Sequence, residues 1–170
     1  MPRHSQDVRL VCLCAQSPNV IARHRAAENP ICPEEYILKL ADDTDWYVQV
    51  GVAENSTASS ELLRYLFKKK KQHAEVRRAV ARHIKCPQDI MNEILKDPDW
   101  TVRQGLALNP ECPTEILGKL SQDNEWEVRR MVAKHPKTSK KTLQELQKDS
   151  SECVAESAKY ALKYTPQERK

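Results

Sequence analysis

A unit of about 26 residues recurs along most of this 170-residue chain and limits its possible folds more than any other feature. When the copies are aligned, one column contains only alanine: Ala27, Ala53, Ala81, Ala107, Ala133 and Ala158. The successive intervals are 26, 28, 26, 26 and 25 residues. A fixed period of about 20–50 residues is typical of repeat arrays, in which each unit packs only on its neighbours. The chain is therefore predicted to be a stack of such units.

The copy at Asp97–Gln122 predicts two short helices per unit. Asp97 is a suitable N-cap, and Pro98 suits the first helical position, where an N–H would have no partner. Asn109 precedes a proline, which disfavours the helical region and ends the first helix. Pro113 then opens the second helix. Each helix is too short to be stable alone, so stacking must supply the core.

Apolar residues at fixed positions of the unit form the predicted core. The alanine column is expected where helices approach most closely, because a larger side chain would overpack that interface. Three further columns are aliphatic: Val48, Val76, Val102 and Val128; Val52, Val80, Leu106 and Val132; and Leu40, Leu66, Ile94, Leu120 and Leu146. With only three glycines and one phenylalanine, the composition favours helix over sheet.

The chain, residues 1–170, is predicted to be a single domain. Residues 5–19 are expected to form an N-terminal capping helix, residues 20–150 the repeats, and residues 151–170 a C-terminal cap with a polar tail. The third copy deviates from the others, because Ala74 stands where three copies have tryptophan and Lys68–Lys71 lengthen the unit.

Composition favours a cytoplasmic protein. The longest apolar run, Leu10–Ala15, is too short to span a bilayer, and no apolar core of a signal peptide follows the N-terminus. With six cysteines and no secretory signal, reduced thiols are expected. The net charge of +4 is concentrated in residues 61–95, which contain nine bases and four acids and hint at an anionic partner. The protein is expected to be a monomer.

The pattern Asp-x-Asp-Trp-x-Val-Arg-x-x-x-Ala-x-Asn-Pro-x-Cys-Pro-x-Glu-Ile-Leu, which begins at Asp97, resembles the leucine-rich repeat variant, a HEAT/armadillo-like unit. The resemblance covers roughly residues 20–150. It implies a right-handed α-solenoid of about five two-helix repeats with terminal capping helices, in which the Val-Arg helix lies on the concave side. One member of the family carries an N-terminal iron–sulfur module. This chain has no matching cysteine cluster, so no cofactor is expected.

The cysteines do not predict a metal site. Cys32, Cys86 and Cys112 share a column with Ala58 and Thr138, which indicates a small buried residue. Successive layers of a helical stack lie about 10 Å apart. Sulfurs around one zinc ion lie only about 4 Å apart. Cys12 and Cys14, two residues apart on a helix, would point to different faces.

No residue set predicts catalysis, so the chain is not expected to be an enzyme. His83 and His135 share the column of Asn29, Asn55 and Asn109 at the end of the first helix. Asparagine tolerates the left-handed conformation that ends many helices, and histidine does so to a lesser degree. We therefore expect helix-end histidines. No nucleophile elbow, phosphate-binding loop or HExxH motif is found.

A column of arginines has two interpretations. Its members are Arg23, Arg77, Arg103 and Arg129, with Gln49 in the second copy. Such a ladder could follow a phosphate backbone. The resemblance to HEAT-like units favours a structural role instead, in which an aspartate six residues before an arginine forms an ion pair that ties adjacent repeats together. Asp97 precedes Arg103 by this interval.

Two neighbouring columns supply the candidate partner-binding residues. On the concave side that the resemblance implies, a basic stripe is expected toward the C-terminal half: Arg78, Arg82, Arg130 and Lys134. Glu28 and Glu54 make the other end acidic. Trp46, Trp100 and Trp126 begin the same helices. These tryptophans could anchor a peptide or stack on bases, or they could fill the seam between repeats.

The predicted function is that of a non-catalytic scaffold whose concave face binds a protein or peptide. Nucleic-acid binding through the basic stripe and Lys68–Lys71 is the first alternative. The second is an enzyme of the HEAT-like DNA glycosylase type, although no residue matches the catalytic aspartate of those enzymes. No membrane association is expected.

Overall fold

The computed structural model describes residues 3–69 and 73–164, and over these ranges the regular structure is entirely helical. It contains twelve helices: α1 (Arg3–Ala15), α2 (Val20–Glu28), α3 (Glu34–Leu40), α4 (Trp46–Glu54), α5 (Ser60–Lys69), α6 (Ala74–Arg82), α7 (Gln88–Ile94), α8 (Trp100–Ala107), α9 (Thr114–Leu120), α10 (Trp126–Lys134), α11 (Lys140–Leu146) and α12 (Glu152–Tyr164). The prediction of an all-α repeat fold is confirmed. Lys70, Lys71 and the polar tail at 165–170 lie outside the described residues.

The chain divides into two compact units, Met1–Pro87 and Gln88–Lys170. In the first unit, α2, α4 and α6 pack on one another in chain order. Helix α3 contacts both α2 and α4, and α5 contacts both α4 and α6. Helix α1 covers α2 and α3. Each repeat therefore buries its apolar face against the next, as short helices require.

The second unit repeats this arrangement. Helices α8, α10 and α12 pack in chain order, while α9 contacts α8 and α10, and α11 contacts α10 and α12. Helix α7 packs on α8. The last helix, α12, is longer than the other helices of this unit and packs on both helices of the preceding repeat, as a terminal cap does.

The first helix of the repeat starting at Asp97 begins later than predicted. Asp99 is the N-cap of α8, and its carboxylate accepts a hydrogen bond from the N–H of Thr101 at 2.8 Å. The predicted cap, Asp97, accepts instead from the N–H of Asp99 and so closes a turn before the helix. As an N-cap, Asp97 would accept the first main-chain hydrogen bond of the helix through its carbonyl oxygen. That oxygen accepts from the Arg103 side chain instead. The N-cap predicted at Asp97 is therefore wrong.

The predicted apolar columns form the core. The six alanines of the alanine column are at most 1% exposed, and the valine and leucine columns are buried throughout. The small column of Cys32, Ala58, Cys86, Cys112 and Thr138 is buried as well. The sequence therefore predicted the helical period of these columns correctly.

Candidate functional site

The arginine column forms a bridge between successive repeats. Arg103 binds Asp123 through two parallel hydrogen bonds, from Nε to Oδ2 at 2.6 Å and from Nη2 to Oδ1 at 2.8 Å. Its Nη1 donates to the carbonyl oxygen of Asp97 at 2.7 Å. The same geometry recurs in Arg23 with Asp43 and in Arg129 with Asp149. Only the planar guanidinium offers this fork.

The partner differs from the one that the family resemblance implied. The carboxylate bound by Arg103 lies 20 residues after it, in the next repeat. The aspartate six residues before Arg103 contributes its main-chain carbonyl oxygen to the bridge. Each of these arginines thus joins the turn that precedes its own helix to the turn that begins the following repeat. The structural interpretation of these three arginines holds, with the pairing corrected.

The ionisation of these bridges follows from their geometry. Burial by itself would raise the pKa of Asp123, but the hydrogen bonds from Arg103 and from the N–H of Glu125 hold that pKa below its ordinary value. The pKa of Asp149 is lowered chiefly by its hydrogen bonds from Arg129. The hydrogen bond to Asp123 raises the pKa of Arg103. Both partners therefore stay charged at neutral pH.

The column of asparagines and histidines forms a second bridge. The Nδ2 group of Asn55 donates to the carbonyl oxygens of Ala27 and Asn29 in the preceding repeat, at 2.8 and 3.0 Å. His83 Nε2 bonds to the carbonyl oxygen of Asn55 at 3.0 Å, and His135 Nε2 to that of Asn109 at 2.9 Å. Asparagine and histidine can replace each other in this column because both present a donor to the previous repeat and an acceptor to a nearby N–H.

The conformation expected for this column is wrong. Asn55, His83 and His135 end their helices with φ between −68° and −71° and ψ between 118° and 135°. No described residue has a positive φ. Extended backbone turns the side chain toward the preceding repeat, so the hydrogen bond between repeats, rather than tolerance of the left-handed region, explains why asparagine and histidine occur here.

The cysteine column packs in the core of the repeats. Cys112 is fully buried, and burial raises the pKa of its thiol to about 12. Burial likewise raises the pKa of Cys32 to about 11. Thr138 fills the same place by donating a hydrogen bond to the carbonyl oxygen of Val132 at 2.6 Å. A neutral thiol is a poor nucleophile and a poor metal ligand.

Two surface cavities of the second unit lie over the arginine bridges. The larger, of about 610 Å³, is lined by Arg103 and Asp123 among other residues. The smaller, of about 420 Å³, is lined by Arg129 and Asp149. These charged groups are already paired with each other, so neither cavity offers a ligand an unsatisfied charge from the bridge.

The two bridges assign a structural role to most members of the conspicuous polar columns. The chain matches no protein-family model, no curated protein and no solved structure. Within the described residues, no helix combines the length and the apolar character that crossing a membrane requires. A functional interpretation therefore depends on the side chains that the bridges do not use.

The four predicted basic residues fall on two helices of different units. Arg78 and Arg82 are exposed on α6, and Lys134 is exposed on α10. Arg130 on α10 is half-buried, and its Nε is buried without a hydrogen-bond partner. None of the four forms an ion pair with another described residue. Each pair of bases is one helical turn apart and shares a helix face.

The three tryptophans each occupy the first position of a first helix. Trp46 is 39% exposed and Trp126 is 37% exposed, while Trp100 is half-buried. The ring of Trp46 stacks on that of His73, with centroids 6.4 Å apart. All three tryptophans are therefore partly buried and partly accessible to a partner. Both interpretations of the column stay open.

The first unit contains a cavity of different character. It measures about 260 Å³ and lies between α4 and α6. Its walls combine apolar, acidic, basic and neutral polar groups: Ala53, Ala79 and Ile84; Glu54; Arg82; and Ser56 and His83. Ile84, one of the lining residues, is 52% exposed. A mixed lining of this kind suits a polypeptide side chain better than a uniformly anionic ligand.

The structure also brings a histidine close to Glu28 and Glu54, the two glutamates that the sequence places at the acidic end of the stripe. His24 and Glu28 on α2 and Glu54 on α4 each place one potential ligand atom within 4.8 Å of the others. The sequence contains one indication of this cluster. Glu28 and Glu54 occupy the same column one repeat apart, and His24 lies one turn before Glu28. The distance between the ligand atoms on α2 and that on α4 depends on how the two helices pack, so it follows only from the folded structure.

Proposed function

We propose that this protein is a non-catalytic repeat scaffold that binds a segment of a partner polypeptide, and that the exposed side of α4 and α6 is part of its binding surface. The supporting observation is the cavity that is lined by the exposed Ile84 and by the oppositely charged Glu54 and Arg82. Interfaces of proteins commonly combine an apolar centre with charged groups at the rim. Arg78, one turn before Arg82, extends the charged rim.

The charge distribution on this surface favours a polypeptide over a phosphate backbone. Glu28 and Glu54 lie close together on the neighbouring helices α2 and α4. Their carboxylates would repel phosphates that approached Arg82, whereas a peptide can place a base near Glu54 and an acid near Arg82. The repeat type is proposed to be the leucine-rich repeat variant, on the pattern that begins at Asp97, and the reduced cysteines support a cytoplasmic location.

Selection of displayed peptides on the full-length chain tests this proposal. We expect enriched peptides to combine an acidic residue with an apolar one, matching Arg82 and Ile84. The variant Arg82→Ala/Ile84→Ala should bind them at least about tenfold more weakly, because interface anchors typically contribute more than 1.4 kcal/mol. Lys39→Ala, an exposed base on α3, serves as the matched control. Enriched peptides that bind both variants equally well would show that another surface is used.

Nucleic-acid binding is a second candidate, supported by the four basic residues that have no ion-pair partner among the described residues. If Arg78, Arg82, Arg130 and Lys134 contact phosphates, each should add about one unit to the slope of log affinity against log salt. A mobility-shift titration at two salt concentrations should then show steep salt dependence that Arg78→Ala/Arg130→Ala reduces. Absence of a shift at about 50 mM salt, where such contacts are strongest, would eliminate this candidate.

A further inference from the structure

We propose that His24, Glu28 and Glu54 form a binding site for a divalent transition-metal cation such as Zn²⁺ on the surface of α2 and α4. The three potential ligand atoms lie within 4.8 Å of one another. The sequence-based expectation of no metal site came from the cysteine column, and this cluster lies in other columns. Glu54 also lines the proposed peptide-binding cavity, but metal binding does not require the peptide-binding role and goes beyond it.

The orientation of His24 carries the proposal. Its Nδ1 lies 2.8 Å from the carbonyl oxygen of Tyr47, and because a carbonyl only accepts, Nδ1 bears the hydrogen. Nε2 then points toward the carboxylate of Glu28, 3.5 Å away. It has no hydrogen-bond partner among the described residues. Metal-binding histidines commonly donate their other ring N–H to a backbone carbonyl in this way.

The imidazole is also held rigidly. His24 is only 6% exposed, and its ring stacks on that of Tyr47 with centroids 3.9 Å apart and planes 14° apart. A Cβ atom at Gly51 would lie 2.8 Å from the carbonyl oxygen of His24 and 2.9 Å from its Nδ1. Glycine at this position therefore allows α4 to approach the histidine closely. A pre-oriented ring loses little conformational entropy when it binds an ion.

The carboxylates complete a three-ligand set with suitable spacing. Two ligands bonded at about 2.1 Å to one tetrahedral ion lie about 3.4 Å apart, close to the observed His24–Glu28 separation of 3.5 Å. Glu28 divides its two oxygens, because Oε1 accepts from Arg25 at 3.2 Å while Oε2 faces His24. Glu54 is exposed and has no ion-pair partner among the described residues, so its carboxylate can turn toward the ion.

The ligand types select the class of metal. One imidazole with two carboxylates suits a borderline first-row cation such as Zn²⁺, Co²⁺ or Mn²⁺, whereas Ca²⁺ and Mg²⁺ prefer oxygen ligands alone. Water would complete the coordination, because Glu54 and the edge of the cluster are exposed. Three protein ligands leave a position open for a further ligand.

The test is calorimetric titration of Zn²⁺ into the reduced, chelator-treated full-length chain, repeated with Co²⁺ while the visible spectrum is recorded. We expect one equivalent to bind. Glu54→Gln and Glu28→Gln should each weaken binding by at least about tenfold, the lower end of the effect of losing even an outer-shell partner. Glu75→Gln, an exposed glutamate on α6, should bind as the wild type does. Glu54 is exposed, so its amide variant is expected to fold normally.

The six cysteines provide the competing explanation, and the cobalt spectrum separates it. A cobalt complex of His24 and two glutamates shows no thiolate-to-metal charge-transfer band in the near ultraviolet. Such a band would overturn the proposal in favour of thiol binding. Zn²⁺ binding of equal affinity in the two glutamine variants would overturn it in favour of a site elsewhere on the chain. Absence of Zn²⁺ binding at millimolar concentration would overturn it outright, whatever the outcome of the peptide experiment.

Discussion

His83 donates its Nε2–H to the main-chain carbonyl oxygen of Asn55, the residue at the same position of the preceding repeat, over 3.0 Å. The Nδ1 atom of the same ring accepts from the N–H of Lys85 at 3.0 Å. Both bonds are made at once only by the neutral ring with its hydrogen on Nε2. The histidine thus links two repeats. Protonation of its ring would remove the acceptor for the N–H of Lys85.

The substitution His83→Asn should make the protein less sensitive to acid. Burial lowers the pKa of His83 below its ordinary value. The unfolded chain therefore binds this proton more readily, and the free energy of unfolding should fall as pH drops below the unfolded value of about 6.5. Asparagine already occupies this position in other repeats and does not titrate. Urea unfolding at about pH 8 and about pH 5 measures the difference. Equal losses in the wild type and the variant would contradict the prediction.

Two of the three helical glycines, Gly51 and Gly118, should respond oppositely to alanine. A Cβ at Gly51 would lie 2.8 Å from a main-chain oxygen, whereas a Cβ at Gly118 would meet nothing within 4 Å. Gly51→Ala should therefore lower the free energy of unfolding by about 1–3 kcal/mol through overpacking. The higher helix propensity of alanine offsets part of this loss. Gly118→Ala should raise it by about 0.5–1 kcal/mol. Thermal and urea unfolding of both variants check this, and stabilisation by both would show that α4 can move.

The arginine bridge should stabilise far more than an exposed ion pair. The side chains of Arg103 and Asp123 are 13% and 7% exposed, while those of Lys137 and Glu111 are 43% and 59% exposed. Removing one partner of a largely buried pair costs about 3–5 kcal/mol, so Arg103→Ala should be strongly destabilising. Lys137→Ala should change the free energy of unfolding by less than about 1 kcal/mol.

A conservative variant separates geometry from charge in that bridge. Arg103→Lys retains the positive charge but loses the fork that binds two carboxylate oxygens and a carbonyl oxygen. We expect it to be nearly as unstable as Arg103→Ala. Urea unfolding that places it close to the wild type would mean that charge, rather than the three hydrogen bonds, stabilises the bridge.

The cysteines should differ sharply in reactivity. Cys153 is exposed, whereas Cys112 is fully buried and its thiol pKa is raised to about 12. Alkylation of the folded protein at neutral pH, followed by mass spectrometry of its peptides, should label Cys153 well before Cys112. Cys112→Ala should remain folded, because alanine already fills this place at position 58. Early labelling of Cys112 would reveal opening of the repeat.

The sequence by itself determined the all-α repeat fold and its core. The 26-residue period, the alanine column and the valine columns predicted which residues are buried, because burial of an apolar column follows from helical periodicity. It also indicated that the arginine and cysteine columns are structural. It placed the N-cap of α8 two residues too early, because Asp97 and Asp99 have equal capping propensity.

Only the tertiary structure decided which polar groups meet across repeats. The bond from Arg103 to Asp123 spans 20 residues, and that from His83 to Asn55 spans 28, so local propensity contains no information about either. The approach of Glu54 to His24 and Glu28 depends likewise on the packing distance between α2 and α4, which Gly51 permits. Recurrence of a residue type in one column shows that this side chain is suitable at that place in each repeat. The partner of that side chain depends on how far and at what angle the next helix packs.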